Sequence, residues 1–246
     1  MISAFSPLLA LALWLQGAAQ ADPAPDPALD PAPAAASGGP VVVELFTSQG
    51  CPMCPGANAL LAALGEADPD ILALAYGVDY WDVYGWEDTF ATAAFTERQQ
   101  AYVDAGQAHR VYTPHYVVNG SPEKLRYSEE RVRAAVEGAA PLPGLVETHA
   151  GPDAITVRLD GPARRTPARV LMVTYRPGVE TRFIEDGPNA GREMVHYNMA
   201  RDIEALGDWS GGPFEVRADP APDGLSAVIL VQDGPGGRIL SAARVE

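Results

Sequence analysis

The chain has 246 residues, a length that allows one large domain or two small ones. Its 17 Lys and Arg residues stand against 32 Asp and Glu residues, which gives a formal net charge of −15. This acidity, without any basic run, favours solubility and argues against nucleic acid as a partner.

The first 21 residues have the pattern of a secretory signal peptide. An apolar core from Leu8 to Leu15 precedes Ala19-Gln20-Ala21, which fits cleavage after Ala21. The core is too short to span a membrane, and an uncleaved anchor or a buried helix is the alternative. We therefore expect a periplasmic or secreted protein in an oxidising compartment.

Residues 22–39 are rich in Asp, Pro and Ala, and Leu29 is their only large apolar residue. Such a composition buries too little surface to offset the entropy of ordering. It predicts a disordered linker that is either a tether or a simple spacer behind the signal peptide.

Residues 40–142 alternate between strand and helix patterns. The strand patterns Val41–Phe46 and Ile71–Val78 flank a helix pattern at Ala57–Ala67, which is typical of a parallel βαβ unit. Further along, the sequence predicts a helix at Thr89–Ala105, a strand at Val111–Gly120 and a helix at Glu129–Ala139 capped by Ser128.

Residues 143–246 consist of short alternating apolar and polar runs separated by Gly, Pro and Asp, which predicts a small all-β, sandwich-like module. The expected strands are Ile155–Leu159, Ala168–Tyr175, Thr181–Ile184, Phe214–Ala218, Leu225–Gln232 and Arg238–Val245. Residues 192–209 fit either one long strand or a strand followed by a helix.

Both cysteines of the chain lie in Cys51-Pro52-Met53-Cys54, where the first strand gives way to the first helix. The unpaired N–H groups of a helix N-terminus stabilise a thiolate, and Pro52 suits a first helical turn. A second thiol one turn further on can resolve a mixed disulfide formed at the first. The spacing therefore predicts a thiol–disulfide centre that needs neither a cofactor nor a metal.

Three alternatives for the cysteine pair stay open: a zinc site, a Cu(I) site and an inert buried pair. Zinc sites usually have four ligands, and none of the four histidines stands at ligand spacing. Cu(I) prefers soft ligands. The chain offers Cys51, Met53 and Cys54, with either His115 or the set Met194, His196 and Met199.

Glu44 is the one charged residue of the first strand pattern. Burial would cost several kcal/mol unless the carboxylate were paired or protonated. A carboxyl with a raised pKa behind the second thiol could accept its proton, which makes Glu44 a candidate catalytic residue. The alternative is a side chain that reaches solvent at a sheet edge.

The stretch Asp79–Trp86 is dense in aromatic residues, and Trp81 is its candidate substrate contact. These rings could line a wall beside the dithiol or simply pack a helix onto the sheet. His115 could tune the thiolate or merely point out of its strand.

The combination of a strand, Cys-x-x-Cys at a helix start, and Thr-Pro before a strand ending in Asn-Gly resembles the thioredoxin superfamily. The stretches VVVELFTSQGC, RVYTP, VVNG and NAGR more closely resemble an uncharacterised family of secreted, thioredoxin-like bacterial proteins. The resemblance covers about residues 40–246. It implies a thioredoxin-like domain, with a central mixed sheet flanked by helices, followed by a β module.

The resemblance also implies residue roles. Cys51 matches the attacking thiol and Cys54 the resolving thiol, while Thr113-Pro114 matches a cis-proline pair that contacts the substrate. Glu44 resembles a buried acid of oxidoreductases but stands one residue further from the first cysteine. No Trp precedes Cys51, which is a departure from thioredoxins.

These observations predict a thiol–disulfide oxidoreductase that acts on protein or small-molecule thiols and disulfides, with a periplasmic or membrane redox partner. Its catalytic residues are Cys51, Cys54 and Glu44, and its substrate contacts are Thr113, Pro114, Trp81 and His115. The alternative is a non-catalytic accessory protein of the cell envelope that binds copper or thiols.

Overall fold

The computed structural model describes Met1 and residues 38–122 and 127–246. The predicted signal peptide beyond Met1, and the predicted linker up to residue 37, lie outside the described residues. Ser37–Glu246 form one compact unit. No helix in the described part of the chain is long and apolar enough to cross a membrane.

Strands dominate the described residues. In chain order the elements are β1 Val41–Thr47, α1 Cys54–Ala67, β2 Ile71–Gly77, α2 Ala93–Asp104, β3 His115–Val118, β4 Ser121–Pro122, α3 Glu129–Glu137, β5 Val146–Ala150, β6 Ile155–Leu159, β7 Ala168–Ile184, β8 Arg192–Trp209, β9 Phe214–Ala218, β10 Ser226–Gln232 and β11 Ile239–Arg244. Short 3-10 turns occupy Asp79–Tyr84 and Gly187–Asn189.

Eight strands form one mixed sheet in the order β11-β10-β7-β8-β2-β1-β3-β4. β2 pairs in parallel with β1 and with β8, and the other neighbours are antiparallel. The parallel β1-α1-β2 unit predicted from the sequence is thus confirmed. The fold is mixed α/β, with one large sheet and few helices.

The large sheet has apolar side chains on both faces because its central strands are buried throughout. Leu72 and Leu74 of β2 point to the face that packs on α2, while Ala73 and Ala75 point to the face that carries α1 and α3. The three-stranded sheet β5-β6-β9 packs against β7 and β10 through a third apolar cluster, which contains Trp209.

The structure changes two of the predicted elements and decides a third that the sequence left open. α2 begins at Ala93, later than predicted, because Thr92 caps the helix and Ala91 forms a bridge with Gly77. Residues 192–209 are a single strand, and the two runs predicted between 168 and 184 are one strand, β7.

The strands of residues 143–246, the range that the sequence predicted as a separate β module, contribute to both sheets. β5 is a strand that the sequence analysis did not predict. β7, β8, β10 and β11 extend the sheet that contains β1 and β2, and β5, β6 and β9 form the smaller layer. The C-terminal half therefore adds β content to a sheet that already contains the strand leading into the cysteine motif.

β7 and β8 continue beyond the large sheet as a two-stranded arm, defined here as residues 176–198. Tyr175 is the last residue of β7 that pairs with β10, and Met199 pairs with Ala75 of β2. From Val179 to Ile184, β7 pairs with β8. The two strands of the arm meet at its tip, defined here as residues 184–194.

Candidate functional site

The cysteine motif follows β1 in a tight turn. The N–H of Cys51 donates to the carbonyl of Ser48 at 3.2 Å, and the N–H of Cys54 donates to the carbonyl of Cys51 at 3.1 Å. α1 begins at Cys54, so Pro55 and not Pro52 lies in its first turn. Both cysteines are free thiols and both are buried.

The two thiols interact, and Cys51 is the more acidic. The pKa of Cys51 is lowered to about 7, first because the Cys54 thiol donates a hydrogen bond to it. The Thr113 hydroxyl and the N–H groups of Met53 and Cys54 lower this pKa further, while burial opposes them. Cys51 is thus the thiol that exists as a thiolate near neutral pH.

Cys54 has the opposite properties. Its pKa is raised well above the ordinary value, chiefly because burial disfavours the charged form. Its hydrogen bond to Cys51 and the charge of that neighbour raise the pKa further. Cys54 therefore retains its proton when Cys51 is charged.

The tip of the arm closes over this pair. Cys51, Cys54, Ile184 and Met194 form one buried apolar cluster, against which Trp81 and Trp86 pack. Cys51 is only 1% exposed as a result. The Trp81 Cβ lies 3.3 Å from the position that a Cβ on Gly50 would take, and the role of Trp81 as a substrate contact stays a prediction.

A buried asparagine at the tip ties it to the cysteine turn. Asn189 Nδ2 donates to the carbonyl oxygens of Gln49 and Cys51, each at 2.8 Å. This asparagine begins the stretch NAGR, for which the sequence predicts no role. Ile184, which lies more than 130 positions after Cys51, was not predicted, and Met194 was named only as a candidate Cu(I) ligand.

Gln49 fastens the same turn to residues 86–89. Its side-chain oxygen accepts from Trp86 Nε1 at 2.8 Å, and its Nε2 donates to Thr89 Oγ1 at 3.0 Å. Its backbone N–H donates to Asp88 Oδ2 at 2.7 Å. Burial raises the pKa of Asp88 to about 6. These bonds fix the position of the chain just before Cys51.

Thr113 and Pro114 lie beside the dithiol, and the peptide bond between them is cis. They line a cavity of about 550 Å³ together with Met53, Tyr112 and other residues between 106 and 127. A volume of this size suits a small molecule or a short peptide segment. The cavity thus adjoins the cysteine turn at Met53 and lies beside Thr113.

Glu44 is fully buried and has two partners. Arg98 Nε donates to its Oε1 at 2.7 Å, and the Tyr102 hydroxyl donates to its Oε2 at 2.6 Å. Its neighbours Val43 and Leu45 point to the face that carries α1, so Glu44 points to the opposite face. The alternative of a solvent-exposed Glu44 is wrong, and its role as a proton acceptor stays a prediction.

His115 is fully buried in β3 and does not point out of its strand into solvent. Its Nδ1 lies 3.2 Å from Gln99 Nε2, and its ring packs on Tyr112 and Phe46. Burial lowers its pKa to about 4, which leaves it neutral at pH 7. It therefore supplies no positive charge to a thiolate.

The described residues contain no group of three His, Cys, Asp or Glu side chains that could hold a metal ion. His196 pairs with Asn58 and packs on Phe90. Met53, the thioether inside the motif, is 56% exposed, whereas Met194 is buried with both cysteines. Cys51, Cys54 and Met194 are the sulfur-containing residues of this buried cluster.

A family model described as "Protein of unknown function (DUF1223)" matches residues 42–232, which include the cysteine turn and the arm. The chain belongs to the DUF1223 family. No curated protein matches this DUF1223 chain.

Two solved structures are similar to the DUF1223 chain. A crystal structure of a protein from Agrobacterium tumefaciens shares 28% identity with a TM-score of 0.66, and the match covers 85% of this chain and 95% of the other. HBP35 of Porphyromonas gingivalis shares 15% identity with a TM-score of 0.57, and the match covers 84% and 74%. At such low identity the second likeness concerns the fold alone.

Proposed function

We propose that this protein is a thiol–disulfide oxidoreductase of thioredoxin-like type, exported to the periplasm or secreted. The observation that carries the proposal is the hydrogen-bonded pair of Cys51 and Cys54, placed at the start of α1 and beside Thr113. Cys51 has the lowered pKa that suits the attacking thiol, and Cys54 stays protonated until it resolves the mixed disulfide.

In the proposed reaction the Cys51 thiolate attacks one sulfur of a substrate disulfide. A Cys51–substrate disulfide forms, the substrate S–S bond breaks, and the second substrate sulfur leaves as a thiolate that takes up a proton. Cys54 then loses its proton and attacks the Cys51 sulfur, which releases the other substrate thiol. The dithiol gives up two electrons and two protons, and the same steps reversed oxidise a substrate dithiol.

The substrates that we propose are protein or small-molecule disulfides, with a redox partner in the membrane or periplasm. Thr113, Pro114 and Trp81 flank the thiols and are the proposed substrate contacts. His115 is buried behind Tyr112, so we expect it to position this loop and not to touch a substrate.

Trapping tests the proposal directly. Cys54→Ala removes the resolving thiol, so mixed disulfides at Cys51 should accumulate and run as adducts on non-reducing gels. The matched control is Cys51→Ala with Cys54 retained, which should yield no adducts because Cys54 stays protonated and buried. Equal adduct formation by both variants, or none by either under oxidising growth, would contradict the proposal.

One observation favours a second candidate, a Cu(I)-binding accessory protein. Met194 adds a thioether to the two thiols in a cluster closed to water, and soft sulfur ligands suit Cu(I). Replacing Met194 with Leu should weaken Cu(I) binding in competition with a chelator, whereas Met199→Leu, an equally buried methionine of another cluster, should not. Equal Cu(I) affinity in both variants would remove this candidate.

A further inference from the structure

The tip of the arm is held over Cys51 by few contacts. Asn189 donates two hydrogen bonds to the cysteine turn, and Ile184 and Met194 pack on the thiols. Gly187 lies against Trp86, since a Cβ on this glycine would stand 3.0 Å from the Trp86 Cβ. These contacts are side-chain contacts and hydrogen bonds to a turn. Ile184 pairs with Arg192, and Arg182 pairs with Met194, so among the described residues the tip is joined to the large sheet only through the β7–β8 pairing.

The lower half of the arm, defined here as residues 176–183 and 195–198, is held in place by other contacts. Glu180 forms an ion pair with Arg201, and the guanidinium of Arg182 lies 4.8 Å from the centre of the Phe90 ring. The His196 ring packs edge-on against the same phenylalanine at 5.0 Å. A movement that lifts the tip can therefore leave the lower half of the arm and the eight-stranded sheet in place.

With the tip seated, Cys51 is shielded on several sides. Ile184 and Met194 cover it from the arm, and Trp81 and Trp86 flank it. Disulfide exchange needs an approaching sulfur in contact with the Cys51 sulfur, opposite the bond that breaks. A disulfide within a folded protein brings its surrounding backbone with it, and a sulfur only 1% exposed leaves no room for that.

A small disulfide has a different route. The cavity of about 550 Å³ beside Met53 and Thr113 adjoins the turn that contains Cys51. Its volume accommodates a small molecule without any displacement of the arm. No residue of the tip lines this cavity, so a small molecule can occupy it while the tip is seated.

We propose that the tip, residues 184–194, is a cap that determines specificity: seated, it admits small disulfides to Cys51, and released, it admits protein disulfides. The inference rests on the proposed function, because it assigns the cap a role in that exchange. The chemistry stays the same in both forms, with Cys51 attacking a substrate sulfur and Cys54 resolving the mixed disulfide. Asn189 and Ile184 are specificity-determining residues in this scheme.

The test compares two thiol reagents on the reduced full chain. Iodoacetamide is small, and a maleimide linked to a polyethylene glycol polymer is bulky. For each reagent, the rate of modification of Cys51 is divided by the rate with free cysteine. In the native chain this relative rate should be far lower for the bulky reagent than for iodoacetamide. Asn189→Ala should raise the bulky-reagent rate by about tenfold or more, as expected for the loss of one to two hydrogen bonds.

Neighbouring residues on the arm provide a matched control. Ile184→Ala removes a side chain that packs on the thiols, whereas Phe183→Ala trims the preceding residue, which is 57% exposed on the outer face. The inner substitution should raise the bulky-reagent rate and the outer one should not. Circular dichroism verifies that each variant is folded. If Ile184→Ala does not fold, Asn189→Ala replaces it in the comparison with Phe183→Ala.

The outcomes separate the cap from the exchange reaction. Equal relative rates of both reagents on the native chain, or equal effects of Ile184→Ala and Phe183→Ala, would overturn the cap. If the cap is correct and the exchange proposal wrong, the reagent rates still differ while Cys54→Ala traps no adducts. If adducts form but the reagents do not discriminate, the exchange stands without the cap.

Discussion

Only two residues separate Cys51 from Cys54, yet their thiols have different surroundings. Cys51 receives hydrogen bonds from Cys54 and from the turn, and Cys54 lies in the apolar interior at the first residue of α1. The difference arises from position, since Cys51 lies in the turn before α1 and Cys54 is the first residue of the helix. A pair of this kind can assign attack to one thiol and resolution to the other.

The first prediction concerns the pH at which Cys51 reacts. Alkylation of the reduced chain by iodoacetamide should follow the thiolate of Cys51, with a midpoint near pH 7 and not near the ordinary thiol value of about 8.5. The rate should rise with pH through that midpoint because only the thiolate reacts.

The Cys54→Ala variant is the informative comparison. It removes the hydrogen bond that most lowers the pKa of Cys51, so the alkylation midpoint should move upward. An unchanged midpoint in this variant would show that the second thiol does not set the acidity of the first.

The second prediction concerns Glu44, a buried carboxylate paired with Arg98. Glu44→Gln leaves the guanidinium buried without its counter-charge, so the free energy of unfolding should fall by about 3–5 kcal/mol. Since the carboxylate points away from the face that carries α1, the alkylation midpoint of Cys51 should stay where it is.

Urea unfolding and the iodoacetamide pH profile measure the two effects in the same preparations. A large loss of exchange rate in a folded Glu44→Gln protein, with little loss of stability, would instead favour the predicted role of Glu44 as a proton acceptor. Arg133→Gln is a suitable control, because its ion pair with Glu129 is exposed and contributes little.

At the scale of elements, the site depends on how the β1–α1 turn is attached to its neighbours. The turn is fastened on one side to residues 86–89 through Gln49 and on the other to the arm through Asn189. Neither attachment uses the pairing of regular strands. The position of the first cysteine is therefore set by amide side chains from outside α1.

The third prediction follows from the Gln49 attachment. Gln49→Ala deletes the side-chain bonds to Trp86 and Thr89, which should lower the free energy of unfolding by about 2–4 kcal/mol. The intrinsic tryptophan fluorescence should also change, because the Trp86 indole loses its acceptor. Gln100→Ala, on the exposed face of α2, should change neither quantity.

Much of the site could be predicted from local sequence, and the arm could not. The strand and helix around Cys51-Pro52-Met53-Cys54 follow from short-range periodicity, and the parallel unit follows from their order. Asn189 lies 138 positions after Cys51, whose carbonyl it contacts, and the sequence around Asn189 has only the pattern of a hairpin turn. Apolar and polar residues alternate in the same way along an arm and along a strand inside a sheet. The pattern therefore does not indicate which part of the protein the strand covers.

At the scale of the whole molecule, two buried histidines make stability depend on pH. Burial lowers the pKa of both His115 and His196 to about 4. The histidines of the unfolded chain bind protons below about pH 6.5, whereas these two histidines in the folded chain do so only near pH 4. The free energy of unfolding that they contribute is therefore fully present above pH 6.5 and is lost as the pH falls towards 4. Asp88, whose pKa is raised to about 6, acts in the opposite direction.

The fourth prediction follows from these signs. Each histidine should reduce the free energy of unfolding by about 2 kcal/mol between pH 7 and pH 5, and Asp88 should offset part of this. His196→Gln should flatten the dependence, as measured by urea unfolding at both pH values. His109→Gln, at an exposed position, is the control and should leave the dependence unchanged. A native chain with equal stability at pH 7 and pH 5 would contradict this assignment.

The distance along the chain between Cys51 and Asn189 has a consequence for synthesis. At about 5–20 residues per second, the 138 residues between them take about 7 to 28 seconds to add. During that interval the nascent chain carries its two thiols without the segment that later encloses them. These cysteines thus stay open to oxidants, metals and other thiols until residues 184–194 have been added and have folded over them.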